Sequence, residues 1–525
     1  MTSAWDVIVI GAGSSGAPLA TRLAERGRRV LLLEAGPAFR SAEMAEVWRS
    51  PNPVRALIDP EASAPLVWPD LLATRTDKQE AALYWRGRGT GGSSSINGQI
   101  AIRPPTDDFT DWAGRGCTGW SPEDVLGYFA RSEDDEQFGD APYHGRGGPT
   151  PIHRMRREDW GSVDTALAAA ALAAGHGWAE DVNAPGARGV SPYPINSRGG
   201  RRVTVNDGYL EPARNSDLLT VRGGALVERV LIENGRAVGV RYLDGASVVE
   251  ERAAEVVLSA GAVHSPAVLM RSGIGPAAAL RDLGIDVVTD LPVGHGLQDH
   301  PMVGVAIALN EEAAIRTADD RHTNVCVRYT SNLSGAGPHD MMFVSLNQNV
   351  LSMESADLRF GAGAFGVWVN QAFSRGSVTL TSTDPAVQPE VRESMLSDER
   401  DLSRLRAGIR ALVDMARGDD VAAISDGPVE RVNTRLLSIL DDDAQLDDHL
   451  LATAADAQHA TSTCRMGDPA GADTVVDPQC RVLGVEGLRV VDASIFPSVP
   501  RANTNLAAIM TGELMADRID HAASP

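Results

Sequence analysis

Residues 5–36 read WDVIVIGAGSSGAPLATRLAERGRRVLLLEAG, and this stretch decides the fold. Val7 to Ile10 form a short apolar run of buried-strand type. Gly11-Ala12-Gly13-Ser14-Ser15-Gly16 follows without a break. A helical pattern then runs from about Ala17 to Arg26, with Leu19, Leu23 and Ala24 on one face. Arg29 to Leu33 is a second apolar strand, closed by Glu34. A GxGxxG turn between strand and helix, inside a complete βαβ unit, is the context in which that motif marks a dinucleotide site. Gly11 permits the tight turn, Gly13 lets backbone approach a pyrophosphate, and Gly16 lets helix and strand pack closely. Ser14 and Ser15 open the helix, whose free N–H groups and partial positive charge suit phosphate. Glu34 stands 18 residues after Gly16, placed to accept hydrogen bonds from ribose hydroxyls. The unit specifies a dinucleotide, but neither which one nor the reaction.

Outward from this unit, the bulk properties set bounds. A chain of 525 residues exceeds one simple core and points to two or more domains. Its 43% hydrophobic and 22% charged residues are ordinary for a globular protein. A net charge of -22 speaks against nucleic acid and anionic membrane surfaces as partners, and otherwise describes a solvated acidic surface. Cys117, Cys326, Cys464 and Cys480 form no CxxC pair and fit buried thiols in a reducing compartment. Cys464 and Cys480 lie near His459 at no zinc-like spacing, so no metal is expected. The first strand starts too early for a signal peptide, and no run reaches the roughly 18 apolar residues of a membrane span. A cytoplasmic protein is expected.

The rest of the chain alternates between strand and helix signals. Residues 37–80 are loop-rich, and residues 135–155 look like a domain crossing. Residues 163–175 are an alanine-rich helix. Residues 219–243 alternate like a β-meander, with Asn234-Gly235 as a hairpin turn. Residues 253–259 are another buried strand. Segments between 304 and 380 (VGVAIAL, NVCVRYT, DMMFVSL, GVWVN, GSVTLTS) suggest a second, antiparallel sheet. Residues 398–417 and 442–455 read as helices, and the final 70 residues return to strand-then-helix character. The expected architecture is mixed α/β and α+β: a discontinuous Rossmann-like dinucleotide domain over 1–155, 205–300 and 455–525. An antiparallel-sheet substrate domain over 156–204 and 301–454 is inserted into it.

Further blocks carry chemistry. Residues 87–98, GRGTGGSSSING, form a second glycine-rich loop able to wrap a cofactor closely. Residues 261–275 read GAVHSPAVLMRSGIG, and residues 294–301 read GHGLQDHP. Residues 459–467 read HATSTCRMG, residues 491–497 VDASIFP, and residues 503–506 NTNL at a helix start.

Together, in this order from residue 5 to about residue 519, the blocks resemble the glucose–methanol–choline (GMC) family of flavin oxidoreductases. Blocks 87–101 and 261–275 match the two family signatures. Thr90 stands where an aliphatic residue is usual, and the 294–301 block is slightly altered. The resemblance implies FAD. It places Gly11, Gly13, Ser14, Ser15, Gly16 and Glu34 at the adenosine end, with backbone of Val227 at the adenine. It sets Gly91, Gly92 and Ser93 along the cofactor, Asn97, Gly98, Gln99 and Ile100 against the isoalloxazine, Asp492 and Ala493 at the pyrophosphate–ribityl region, and Asn503 and Thr504 at the flavin end. Some members attach FAD through a histidine just before the loop asparagine. Ile96 occupies that position here and forms no such bond, so FAD is expected to be non-covalent.

By the same resemblance His459 and Asn503 are the catalytic pair. Oxidising an alcohol requires removal of the hydroxyl proton and transfer of the carbon-bound hydrogen to flavin N5 as hydride. An imidazole suits the first task, and an Asn amide suits hydrogen bonding to the developing alkoxide. Asp299 and His300 read instead as a buried turn supporting the flavin from behind, and His264 and His295 as loop residues. Gln458, Trp368 and Asn370 are candidates for the substrate wall. The expected enzyme oxidises a primary aryl, furanic or aliphatic alcohol to the aldehyde, with O2 or a redox carrier as acceptor. The bacterial members acting on aryl and furanic alcohols, hydroxymethylfurfural oxidases among them, are the nearest in pattern. The alternatives are a dehydrogenase passing electrons to a quinone or carrier, for example one linked to mycofactocin, a non-oxidative lyase on the same fold, and a flavin-binding protein without catalysis.

Overall fold

Trp5–Ile10 lies at the centre of a seven-stranded sheet. The computed structural model describes residues 5–57, 59–317, 319–348 and 362–523. Val30–Leu33 pairs parallel with one side of the central strand, and Ser247–Leu258 pairs parallel with the other. Leu219–Arg222 extends the sheet beyond Val30–Leu33, and Leu488–Val490 joins Val256–Leu258. Both faces are covered, so these strands are continuously apolar rather than alternating. Ile8, Val9 and all four residues of Val30–Leu33 are fully buried. Each such side chain contributes about 1.5–3 kcal/mol of burial. Helix Gly16–Glu25 buries Leu19, Ala20, Leu23 and Ala24.

The meander differs from the sequence reading. It runs from Ala225–Glu233 through Arg236–Asp244 into Ser247–Leu258. Leu219–Arg222 alternates like its neighbours but leaves the meander for the edge of the parallel sheet. Ser247–Leu258 serves twice: its first half closes the meander and its second half pairs with Trp5–Ile10. The strand expected over 253–259 is therefore the end of a longer one.

A second sheet has six strands, in the order Ala455–Asp456, Pro301–Ala308, Ala362–Val369, Met341–Leu346, Val325–Tyr329, Gly189–Pro192. All its pairs are antiparallel. The two-residue period sorts its side chains. Val303, Val305, Phe365 and Val367 pack under helices Ser162–Ala173 and Glu399–Ala416. Met302, Val344, Ala364 and Trp368 face the opposite way. A smaller sheet joins Leu72–Thr74 to Glu390–Arg392 and Gly376–Thr379. The final helix, Thr504–Ala523, crosses back over the first glycine loop: Ser14 Oγ donates to Asn505 Oδ1 at 2.7 Å and Ser15 Oγ to the Ala508 carbonyl at 2.8 Å. Among the described residues, no helix is long and apolar enough to cross a membrane.

Candidate active site

A cavity of about 690 Å³ runs from the first glycine loop to the second sheet. At one end Glu34 closes the strand Val30–Leu33 with its carboxylate buried. Its Oε2 accepts the Ala12 N–H at 3.0 Å, and its Oε1 accepts those of Gly36 and Gly89 at 2.9 and 2.8 Å. The carboxylate thus ties the two glycine loops together. Two oxygens offer about four acceptor positions. Three are used, which leaves one on Oε2 beside the cavity. The loops themselves meet at Gly13 and Gly92, where a Cβ on Gly92 would come within 2.7 Å of Gly13 Cα.

Along the cavity, Gly11, Gly13, Ser14, Ser15, Gly92, Ser93, Asn97, Gly98, Ile100, Val227, Asp492, Ala493 and Thr504 form the wall with Glu34. Asp492 starts the helix Gly261–Arg271: its Oδ2 accepts Gly261 N–H at 2.9 Å and Ser265 Oγ–H at 2.5 Å. Asn97 Oδ1 accepts the Gln99 N–H and an Arg202 N–H, both at 2.9 Å. Gly16, Gly91 and Gln99 are not on the wall. Gly16 packs within the βαβ unit, where a Cβ would strike the Gly11 carbonyl at 2.0 Å. The Gly91 N–H donates to the Ala12 carbonyl at 2.9 Å. The Gln99 side chain turns away to the Ser50 and Pro51 carbonyls.

At the other end the structure brings His459 and Asn503 together. Asn503 immediately precedes the last helix, and His459 follows the edge strand Ala455–Asp456. Asn503 Nδ2 lies 3.1 Å from His459 Nε2. Asn503 Oδ1 is buried without a partner. Trp368 tilts over the His459 ring at 5.6 Å between centroids. Met302, Val344, Leu346, Ile100 and Tyr193 continue this apolar wall. Asn370 is not part of it; it is fully buried one residue beyond the strand end. Gln458 is on the wall, with backbone φ of +64° and Oε1 accepting from Arg86 Nη1 at 2.8 Å. A left-handed glutamine is uncommon and sits where surrounding contacts hold it.

Two placements differ from what the sequence suggests. Asp299 and His300, expected behind the flavin, stand directly behind His459 and off the cavity wall. Asp299 Oδ2 accepts the His459 backbone N–H at 2.7 Å, and His300 Nδ1 lies 2.9 Å from His459 Nδ1. The reason is topological, because the antiparallel pairing of Ala455–Asp456 with Pro301–Ala308 brings residue 299 under residue 459. His264 is not a loop residue either. It lies in the first turn of Gly261–Arg271 and lines the cavity, stacked 4.0 Å from Trp68 and bonded through Nε2 to Gln388 Oε1 at 3.0 Å. Arg86 was not singled out by any motif; its guanidinium lies 3.7 Å over the Tyr84 ring and contacts both Gln458 and Asp299.

Electrostatics favour an uncharged His459 ring. Burial, the His300 ring and Arg86 hold the His459 imidazole well below its usual range. Burial pushes His300 down to about 4. Both shifts favour the neutral rings, and a neutral imidazole is the form that takes up a proton.

Models of the GMC oxidoreductase family match residues 5–302 and 372–512. The chain belongs to this family. A 5-(hydroxymethyl)furfural oxidase of Methylovorus sp. (strain MP688) is 35% identical to this GMC oxidoreductase, covering 98% of each chain. Mitochondrial choline dehydrogenase of Homo sapiens is 34% identical, covering 98% of this chain and 89% of the relative. The crystal structure of pyridoxine 4-oxidase from Mesorbium loti superposes with a TM-score of 0.89 at 27% identity, covering 98% of this chain and 99% of that one. GMC oxidoreductases bind FAD, and the residues of this member fit that group. Glu34 keeps an acceptor position for a ribose hydroxyl, a Cβ on Gly13 would meet nothing closer than 3.7 Å of protein, and the start of the last helix lines the flavin end.

Proposed function

We propose that this enzyme oxidises a neutral primary alcohol, aryl, furanic or aliphatic, to the aldehyde, with non-covalent FAD as the hydride acceptor and His459 as the base. The observation that carries the reading is the 3.1 Å contact between Asn503 Nδ2 and His459 Nε2 at the cavity wall. A hydroxyl that displaces this contact donates to Nε2 and accepts from Nδ2, which is the polarity needed to draw off its proton and steady the alkoxide. FAD, when bound, supplies the acceptor for the hydride leaving the same carbon. The proton rests on His459, whose burial and neighbours keep it unprotonated beforehand.

Trp368, Met302, Val344 and Leu346 offer apolar surface to an aromatic or short aliphatic group. The acid on the described wall beside His459 is Asp456, already bonded to Arg75 at 2.6 Å, so a neutral substrate suits the site better than a cation. Ile96, buried at the cavity wall, has no atom with which to bond a flavin, which supports non-covalent attachment. The cavity between the mostly parallel and the antiparallel sheets supports the division into a flavin domain (1–155, 205–300, 455–525) and a substrate domain (156–204, 301–454). Four buried free thiols suit a reducing cytoplasm.

The test is anaerobic mixing of the flavin-loaded protein with a panel of primary alcohols, followed by air. Bleaching of the flavin by neutral aryl, furanic or aliphatic alcohols supports the reading. Absence of bleaching with every alcohol overturns it and revives a lyase or a non-catalytic flavoprotein. Rapid return of colour in air marks an oxidase; slow return, hastened by a quinone, marks a dehydrogenase.

A further inference from the structure

Behind the catalytic loop three carboxyl groups converge, Asp456 at the cavity wall and Asp299 and Glu393 behind it. Asp299, Glu393 and Asp456 each place an oxygen within 4.8 Å of the others, and all three are buried. They come from three distant places: the turn before Pro301–Ala308, the end of Glu390–Arg392, and the edge strand Ala455–Asp456. Two arginines face them, Arg75 bonded to Asp456 at 2.6 Å and Arg86 3.7 Å from Asp299. Tyr84 donates its hydroxyl to Asp299 Oδ2 at 2.8 Å, and burial keeps that phenol neutral. His459 and His300, the remaining titratable neighbours, are held neutral as described. Three carboxylates against two guanidiniums leave one negative charge buried without a partner, a costly arrangement. One proton removes it.

Hydrogen bonding says where that proton sits. Asp299 accepts from Tyr84 and from the backbone N–H groups of His459 and His300. Asp456 accepts from Arg75 and from the Gln458 N–H at 3.0 Å. Both aspartates accept hydrogen bonds on both oxygens, and these bonds favour their anions, although burial and Asp456 push the Asp299 carboxyl up to about 7. Glu393 is 2% exposed, and neither of its oxygens accepts any hydrogen bond. Burial and the two aspartates push its carboxyl well above the usual range. A divalent cation is the rival occupant of three carboxylates. The two arginines already supply the counter-charge, and of the three carboxyls only Glu393 accepts no hydrogen bond, so a proton is favoured.

We propose that Glu393 is a positioning residue for the base, carried as a neutral carboxylic acid whose O–H bridges to the Asp299 and Asp456 carboxylates. Those carboxylates hold the consecutive N–H groups of Gln458 and His459 in the left-handed turn that presents the imidazole. Without a neutral donor between them the two aspartates repel, and the turn loses its anchor. The role in turnover rests on His459 being the base; the protonation of Glu393 does not.

Glu393→Gln keeps shape, neutrality and a donor; Glu393→Met keeps shape and neutrality but no donor. On flavin-loaded protein at pH 7, without substrate, the infrared difference between parent and Glu393→Gln is expected to contain a protonated-carboxyl C=O stretch that shifts in D2O. Glu393→Gln is expected to fold with a similar melting temperature and to reduce its flavin within ~3-fold of the parent rate, with an unchanged pH profile. Glu393→Met is expected to slow reduction at saturating alcohol by about tenfold or more, with little change in half-saturation. Absence of the band, a Glu393→Gln protein that fails to fold or is as slow as Glu393→Met, or a tightly held divalent ion whose chelation shifts the melting temperature would each overturn the proposal. If no alcohol bleaches the parent flavin, alcohol oxidation fails as a reading while the infrared and melting results still decide the state of Glu393.

Discussion

His300 Nδ1 lies 2.9 Å from His459 Nδ1, so one imidazole must donate to the other. On its far side His459 Nε2 faces Asn503 Nδ2 at 3.1 Å, and an amide nitrogen only donates. One tautomer of His459 serves both contacts: the proton on Nδ1, given to His300, and a lone pair on Nε2, turned to the cavity. His300 therefore selects which nitrogen of His459 is free.

Replacing His300 by Leu removes that selection and leaves His459 able to carry its proton on either nitrogen. The expected outcome is a folded, yellow protein whose alcohol-dependent flavin reduction falls by about 10–100-fold at saturating substrate. Anaerobic stopped-flow measures it directly. A rate within about twofold of the parent would remove His300 from the catalytic arrangement.

The pair itself gives a sharper contrast. His459→Ala removes the proton acceptor, and a loss of about 10²–10⁴-fold in flavin reduction is expected with the flavin spectrum retained. Asn503→Ala removes one donor to the alkoxide and is expected to cost about 10²–10³-fold. Asn503→His, which restores a ring N–H donor at the same place, is expected to recover a good part of that loss. If both Asn503 variants are equally slow, the donor role is wrong and the amide merely packs.

Much of this arrangement was legible in the sequence because it is local. The βαβ unit needs only the period of residues 5–36, and the helices at 399–416 and 504–523 follow from apolar spacing and their starts. The place of Leu219–Arg222 is not legible in the sequence, because edge and meander strands share one alternation and only sheet order tells them apart. The contact of Asp299 and His300 with His459 is not legible in the sequence, because the partners lie about 160 residues apart and no spacing rule reaches across an antiparallel pairing of that separation. The Asp299–Glu393–Asp456 cluster was invisible for the same reason. Arg86 carried no motif at all.

The glycines of the two loops separate ligand demands from fold demands. A Cβ on Gly92 would meet Gly13 Cα at 2.7 Å, and its φ of +50° already disfavours a side chain. Gly92→Ala is therefore expected to lower the melting temperature of the apoprotein. A Cβ on Gly13 meets only Gly92 Cα at 3.7 Å, so the fold tolerates it, but the methyl enters the wall where a pyrophosphate would lie. Gly13→Ala is expected to melt like the parent without flavin yet bind FAD at least about tenfold more weakly. Equal flavin affinity in Gly13→Ala and the parent would move the pyrophosphate away from this loop.

A last prediction concerns pH and lies outside the active site. His144 is buried with Nδ1 2.5 Å from Glu133 and Nε2 2.8 Å from Asp181. Both ring nitrogens face carboxylates, so both donate and the ring is an imidazolium. Arg103 pairs with Glu133, and Arg154 bonds Asp135 at 2.8 Å and Asp181 at 2.7 Å, so three carboxylates meet three cations. Burial opposes the charge on His144, but the bonds to Asp181 and Glu133 outweigh it and raise the pKa. A folded pKa above the unfolded value of about 6.5 stabilises fully below that value and is lost as pH rises through the folded one. Asp181 works in the opposite sense: burial opposes its ionisation, but bonding to His144 and the Arg154 charge bring its pKa down to about 2. Its contribution is present above about 3.9 and is lost as pH falls toward 2. The network is therefore strongest from about pH 4 to 6.5. His144→Gln, which breaks a buried charge network, is expected to cost about 3–5 kcal/mol at pH 6 and distinctly less at pH 9. Thermal unfolding of both proteins at the two pH values measures this, and an equal loss at pH 6 and pH 9 would mean that the His144 ring carries no charge.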